Sequence, residues 1–307
     1  MASDTPQSAA SASPRANTLL APEFLARLEQ MELVSRKVLR GRLKGERRSK
    51  RRGQSVEFAD FRNYVKGDDL RFIDWNLYAR LDKLFLKLFL EEEDLHFYTL
   101  IDTSRSMDFG EPTKLQYAKQ IAAALGFIGL TQSDRVVIET MNQSVTRRSP
   151  ALRGRASLWR MLDYLQNLEP DGSTDLTTGI KRFCLRHPGP GIVVVISDFM
   201  DKNGFEEALR YLVAQRMDAY VIQLLSPEEL EPALQGDLKL VDCEDGDIAE
   251  ITASSALYER YRRTLANFVE SLRTFCMKRG MVHLMARTDQ PFEQIITQYL
   301  RQRGLVR

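Results

Sequence analysis

Five apolar runs recur along the chain with helical patterns between them: "LHFYTLI" (95–101), "RVVIETM" (135–141), "GIVVVIS" (191–197), "AYVIQLL" (219–225) and "MVHLMA" (281–286). Several are apolar at every position rather than at alternate ones. A strand covered by helices on both faces reads that way, because both of its faces are buried. The intervening segments carry helical spacing; in "KLQYAKQIAAALGFIGL", Leu115, Ala118, Ala122 and Leu125 share one face. The alternation predicts an α/β domain, doubly wound around a mainly parallel sheet, over residues 95–307. Two short strands, "LKLVDCE" and "AEIT", a long helix over 255–280 and a closing helix over 291–304 complete it.

The N-terminal third reads differently. Residues 1–18 are rich in Ser and Ala, a composition that cannot bury enough surface to order itself. "PEFLARLEQMELVSRKVLRGRL" (22–43) predicts an amphipathic helix, followed by a basic loop to Arg52. From Val56 to Asp94 the pattern is short and β-like, with a turn at Lys66-Gly67-Asp68-Asp69. The expected organisation is a tail (1–18), a helix, basic loop and small β annex (19–94), and the α/β domain (95–307).

With 307 residues and 43% hydrophobic content, the chain can fill a real core. No apolar run approaches the roughly 20 residues that a membrane helix needs, and the opening residues lack the apolar centre of a signal peptide. The expected location is the cytoplasm. Three cysteines, Cys184, Cys243 and Cys276, far apart and without a C-x-x-C pair, point to neither a disulfide framework nor a zinc site. The net charge is only +2, yet Arg36 to Arg52 holds ten Lys or Arg against one acid, Glu46. Such a segment can meet nucleic acid, anionic lipid or an acidic protein, or remain a solvated arm. It has no interleaved aromatic residue to stack on bases.

The first apolar strand ends in "IDTSRSMDFG", which places Asp102, Ser104 and Ser106 where ligands of open α/β sheets bind, at the carboxyl ends of the strands. Carboxylate and hydroxyl oxygens are hard ligands suited to a compact cation such as Mg²⁺. Alone, D-x-S-x-S is weak evidence, because Asp and Ser are common in turns and helix caps. Partners occur downstream: Thr174 lies in the Gly-led "DGSTDLTTGI", and Asp198 ends "GIVVVISD".

The order Asp102-x-Ser104-x-Ser106, Thr174, Asp198 resembles the metal-ion-dependent adhesion site of von Willebrand factor type A domains, with every motif position filled. The resemblance implies that Ser104, Ser106 and Thr174 ligate Mg²⁺ (or Mn²⁺ or Ca²⁺) directly or through water. It further implies that Asp102 and Asp198 hold the bound waters, and that one position stays open for a partner's Glu or Asp. Upstream, "FRNYVKGDDLRFIDWNLYARLDKLFLKLFLEEE" (61–93) is similar to the signature of the domain of unknown function 58 family. That resemblance implies a bacterial, non-catalytic adaptor beside an AAA+ ATPase of the MoxR type. Within the signature, Asp68, Asp69, Arg71, Asp74, Trp75 and Arg80 are candidates for a partner surface, or else turn and ion-pair residues. Two other function classes stay open. One is a Mg²⁺-dependent phosphoester hydrolase with an Asp nucleophile, although Ser104 stands where that class has its second Asp. The other is nucleic-acid binding through the basic 36–52 arm.

Overall fold

The computed structural model describes residues 19–34, 57–90, 95–142, 147–232 and 236–307. The basic 36–52 arm and the tail lie outside them. Along the chain run α1 (Pro22–Leu28), β1 (Glu57–Asn63), α2 (Trp75–Leu81), β2 (Phe85–Leu90), β3 (His96–Asp102), α3 (Lys114–Thr131), β4 (Arg135–Met141), α4 (Leu158–Gln166), α5 (Leu176–Arg186) and β5 (Ile192–Ser197). Then come α6 (Glu206–Ala214), β6 (Asp218–Leu225), α7 (Pro227–Leu230), β7 (Asp237–Val241), β8 (Ile248–Thr252), α8 (Ser255–Lys278), β9 (Val282–Arg287) and α9 (Phe292–Gln294). The last continues as a π-helical stretch, Ile295–Leu300.

The five apolar runs form one sheet in the order β4-β3-β5-β6-β9, parallel throughout. Alternate residues of each strand feed two cores. Phe97, Ile101, Val194 and Ile222 face the core shared with α1, α3, α4 and the C-terminal segment. Tyr98, Leu100, Val195 and Val221 face the core shared with α5, α6 and α8. This two-sided burial is the reason the strands lack polar alternation. The chain runs from β3 outward to β4, then returns to place β5 on the other side of β3. Strand order therefore reverses between β3 and β5, and the crevice at that switch point is the expected binding place.

α3 departs from the one-faced helix that its spacing predicts. It is buried nearly all round, because α1 and the C-terminal segment cover the side away from the sheet. The predicted 22–43 helix is corrected over its described part: it is helical over Pro22–Leu28, after which the chain turns and extends to residue 34, and residues 35–43 lie outside the described residues. Leu33 bridges to Val306, with Val34 N donating to Leu305 O at 2.8 Å and Arg307 N to Glu32 O at 3.0 Å. Pairing with the C-terminus outweighs the helical propensity of this segment. Residues 19–34 consequently pack into the α/β core, with Phe24 edge-on to Phe292 at 5.5 Å. The annex is a β1–β2 antiparallel pair, as its pattern suggests, with an added helix α2 started by Asp74.

Glycine lets α3 approach the sheet. A Cβ on Gly129 would stand 2.9 Å from Val136 Cγ2 and 3.2 Å from Leu33 Cδ1, and a β-branched valine has little rotamer freedom to yield. Gly129→Ala is expected to cost about 1–3 kcal/mol, read as a lower urea midpoint; an unchanged midpoint would mean that α3 can lift off the sheet at no cost.

Candidate functional site

Asp102 is the last residue of β3 and is fully buried. Its Oδ1 accepts from Ser104 N at 3.0 Å, a turn that aims the next residues across the crevice, and its Oδ2 accepts from Ser197 Oγ at 2.6 Å. Ser104 is buried and Ser106 half-buried, with their Oγ atoms 3.0 Å apart. Asp198, next to the end of β5, is buried, and its Oδ1 accepts from Met200 N at 3.0 Å.

Thr174 comes from the loop before α5, and backbone hydrogen bonds stitch that loop to the serine turn. Arg105 N donates to Gly172 O at 3.1 Å and Asp171 N to Thr103 O at 2.7 Å. A third tie, Leu176 N to Asp201 Oδ2 at 2.9 Å, joins the start of α5 to the loop after β5. Asp102, Ser104, Ser106, Thr174 and Asp198 thus lie on three interlocked loops at the switch point.

Three charged residues of this site carry no signal of such a role in the sequence. Lys114, the first residue of α3, is 1% exposed, and its Nζ donates to Asp198 Oδ2 at 2.7 Å and to Glu229 Oε1 at 2.5 Å. Glu229 is held by its own helix start: its Oε2 accepts from Ser226 N while Ser226 Oγ accepts from Glu229 N, a capping box. Glu244, on the turn of the β7–β8 hairpin, accepts from Thr174 Oγ1 and from Thr174 N, each at 3.0 Å. Ser-Pro-Glu-Glu reads as an ordinary helix start, and a lysine opening a helix reads as a surface residue. Nothing local ties residue 244 to residue 174.

The electrostatics follow from burial. Lack of solvent, and then the charge of Asp198, push the Asp102 carboxyl up to about 7, against the hydrogen bonds from Ser197 and Ser104. Burial works against the charge of Lys114, but Asp198 and Glu229 outweigh it and hold the ammonium above the ordinary lysine range. Two carboxylates, Asp198 and Glu229, share one ammonium, an excess of negative charge that favours a further cation.

The residues suit a small hard cation. Adjacent ligands of an octahedral ion bound at about 2.0–2.1 Å lie about 3 Å apart, and the Ser104 and Ser106 hydroxyls have that spacing. Among the described residues no group of three or more His, Cys, Asp or Glu is placed to hold a metal. A cation here would therefore draw on hydroxyl oxygens as well as carboxylates.

The annex candidates are not part of this cluster. Asp68 pairs with Arg62 at 2.7 Å, and Asp69 with Arg71 at 2.6 Å. Asp74 caps α2 through Asn76 N and Leu77 N and pairs with Lys87 at 3.2 Å. These are turn, cap and ion-pair contacts within the annex. Trp75 is 60% exposed, edge-on to Tyr78 at 6.2 Å, and Arg80 is exposed.

Comparison with known proteins gives a match over residues 60–270 to the family model described as Protein of unknown function DUF58. The chain is 29% identical over 292 residues to an uncharacterized protein of Mycobacterium tuberculosis, covering 92% of this chain and 91% of that one; a Mycobacterium bovis protein matches equally. Among solved structures, the conserved hypothetical protein BatB from Bacteroides thetaiotaomicron aligns at 14% identity and TM-score 0.42, over 68% of this chain and 98% of that one. The SpRpn10 VWA domain aligns at 13% identity and TM-score 0.38, over 67% and 95%.

Proposed function

We propose, for a chain that belongs to the DUF58 family, a non-catalytic binding role in which a divalent cation at the β3–β5 switch point docks an acidic side chain of a partner protein. The observation that carries this reading is the Ser104–Ser106 hydroxyl pair, 3.0 Å apart, on a turn that the Ser104 amide ties to the buried Asp102 carboxyl. Ser104, Ser106 and Thr174 would hold the ion, with Asp102 and Asp198 supplying the negative charge around it. Mg²⁺ fits the donor set, and Mn²⁺ or Ca²⁺ could replace it. When bound, such an ion supplies a hard, reversible acceptor for a carboxylate. This chain's residues orient that acceptor: Ser197 and the Ser104 amide fix the Asp102 carboxyl, and Lys114 fixes Asp198.

The partner that the family resemblance of residues 61–93 implies is a MoxR-type AAA+ ATPase. No helix of the described residues is long and apolar enough to cross a membrane, and we place this role in the cytoplasm.

The test is an affinity capture from cells of the source organism, with wild type and Asp102→Ala, each with Mg²⁺ and with chelator. An ATPase retained only by wild type with Mg²⁺ is the expected result. The same proteins in all four samples would leave the site without a binding role.

A further inference from the structure

We infer that Glu244 is the site's resident carboxylate, occupying the place that an acidic partner must take, so that the partner binds by displacing the β7–β8 hairpin. The inference rests on the cation-dependent docking proposed above, and it adds how that docking is controlled.

The contact that motivates it is specific. Glu244 and Thr174 lie 70 residues apart, and both carboxylate oxygens of Glu244 are used, one on the Thr174 hydroxyl and one on its amide. Of all chemical groups that could reach this hydroxyl, the chain presents the one that a metal-dependent docking site is built to accept. The hairpin tip is also fastened from the other side of the crevice. Asp242 Oδ1 accepts from Glu244 N at 2.8 Å and so sets the turn. Lys202, four residues after Asp198, sits among Asp242 at 3.2 Å, Asp247 at 3.3 Å and Asp245. The tip therefore bridges the loop carrying Thr174 and the loop following Asp198.

The body of the hairpin is held far less. Every β7 and β8 position is exposed or only partly buried, with Val241 60% and Ile248 58% exposed. Attachment thus depends on charge contacts at the tip, and exposed ion pairs of this kind are weak because solvent screens them. Such a segment can leave without unfolding the domain, as expected for elements that move on binding. Its departure would uncover the Thr174 hydroxyl and amide and leave Lys202 without its aspartates. A partner that offers a Glu or Asp flanked by further acidic residues would reproduce what the hairpin presents.

The experiment uses the full chain loaded with Mn²⁺, with acetate as the minimal carboxylate, and follows the relaxation of the acetate methyl protons by the bound ion. A direct Mn²⁺ titration accompanies it. Glu244→Gln keeps an acceptor for the Thr174 amide but removes the charge. If the hairpin is seated about nine-tenths of the time, releasing it strengthens acetate binding about tenfold. Lys202→Ala, which leaves Glu244 in place, is expected to shift the affinity in the same direction by less. Unchanged acetate affinity in both variants, with Mn²⁺ still bound, would overturn the inference. If wild type takes up no more Mn²⁺ than the Ser104→Ala, Ser106→Ala protein, the metal reading itself falls and this inference falls with it.

Discussion

Replacing Ser104 and Ser106 together by alanine is expected to weaken Mg²⁺ binding by about two orders of magnitude or more while leaving the fold intact. Changing groups that merely orient a metal ligand already costs about 10–100-fold in affinity, and these two hydroxyls are proposed as ligands themselves. The double change is also the gentle one structurally. The two Oγ atoms are hydrogen-bonded to each other, so removing both leaves neither without its partner, and paired removal is close to neutral where single removal is not. The turn persists, because it is made by the Ser104 backbone amide on Asp102. Mg²⁺ titration calorimetry and far-ultraviolet circular dichroism read the two halves of the expectation. Wild-type metal affinity in the double variant would show that the cation, if any, sits elsewhere.

Much of this arrangement is legible in the amino-acid sequence. Uninterrupted apolar strands forecast the parallel sheet, because burial on both faces removes polar alternation; Asp102, Ser104 and Asp198 could be placed at strand ends, and Thr174 in a loop that opens a helix, because the chain alternates so regularly. What stayed hidden is instructive. Over residues 22–34 the helix stops at Leu28 because residues 32–34 pair with 305–307, and no local pattern records a partner some 270 residues away. α3 shows why one apolar face can be too little to expect: its outer side is covered by elements from both ends of the chain. Lys114 and Glu229 escaped notice for a chemical reason. Each has a sufficient local explanation, a helix start and a capping box, and only the tertiary structure turns them toward Asp198. Glu244 belongs to an exposed hairpin, and the residue it contacts, Thr174, lies 70 residues away in sequence.

Lys114→Met should be the most damaging single substitution at the site, lowering stability by about 3–5 kcal/mol, the usual cost of removing one partner from a buried ion pair. Methionine roughly fills the volume of the lysine stem, so the loss isolates charge from packing. What remains is Asp198 and Glu229 without their shared cation, beside an Asp102 that is itself fully buried. Two dependences identify the cause. Unpaired buried carboxylates have folded-state pKa values raised above their unfolded ones. The deficit is then largest at pH values above those raised pKa values and shrinks as the pH falls and the acids protonate. Mg²⁺ provides the second, because an ion that binds only the folded state stabilises it in proportion to its occupancy. The variant offers that ion one more uncompensated negative charge, so added Mg²⁺ should raise its urea midpoint by more than it raises that of wild type. A deficit independent of both pH and Mg²⁺ would assign Lys114 a packing role and remove it from the electrostatics of the site.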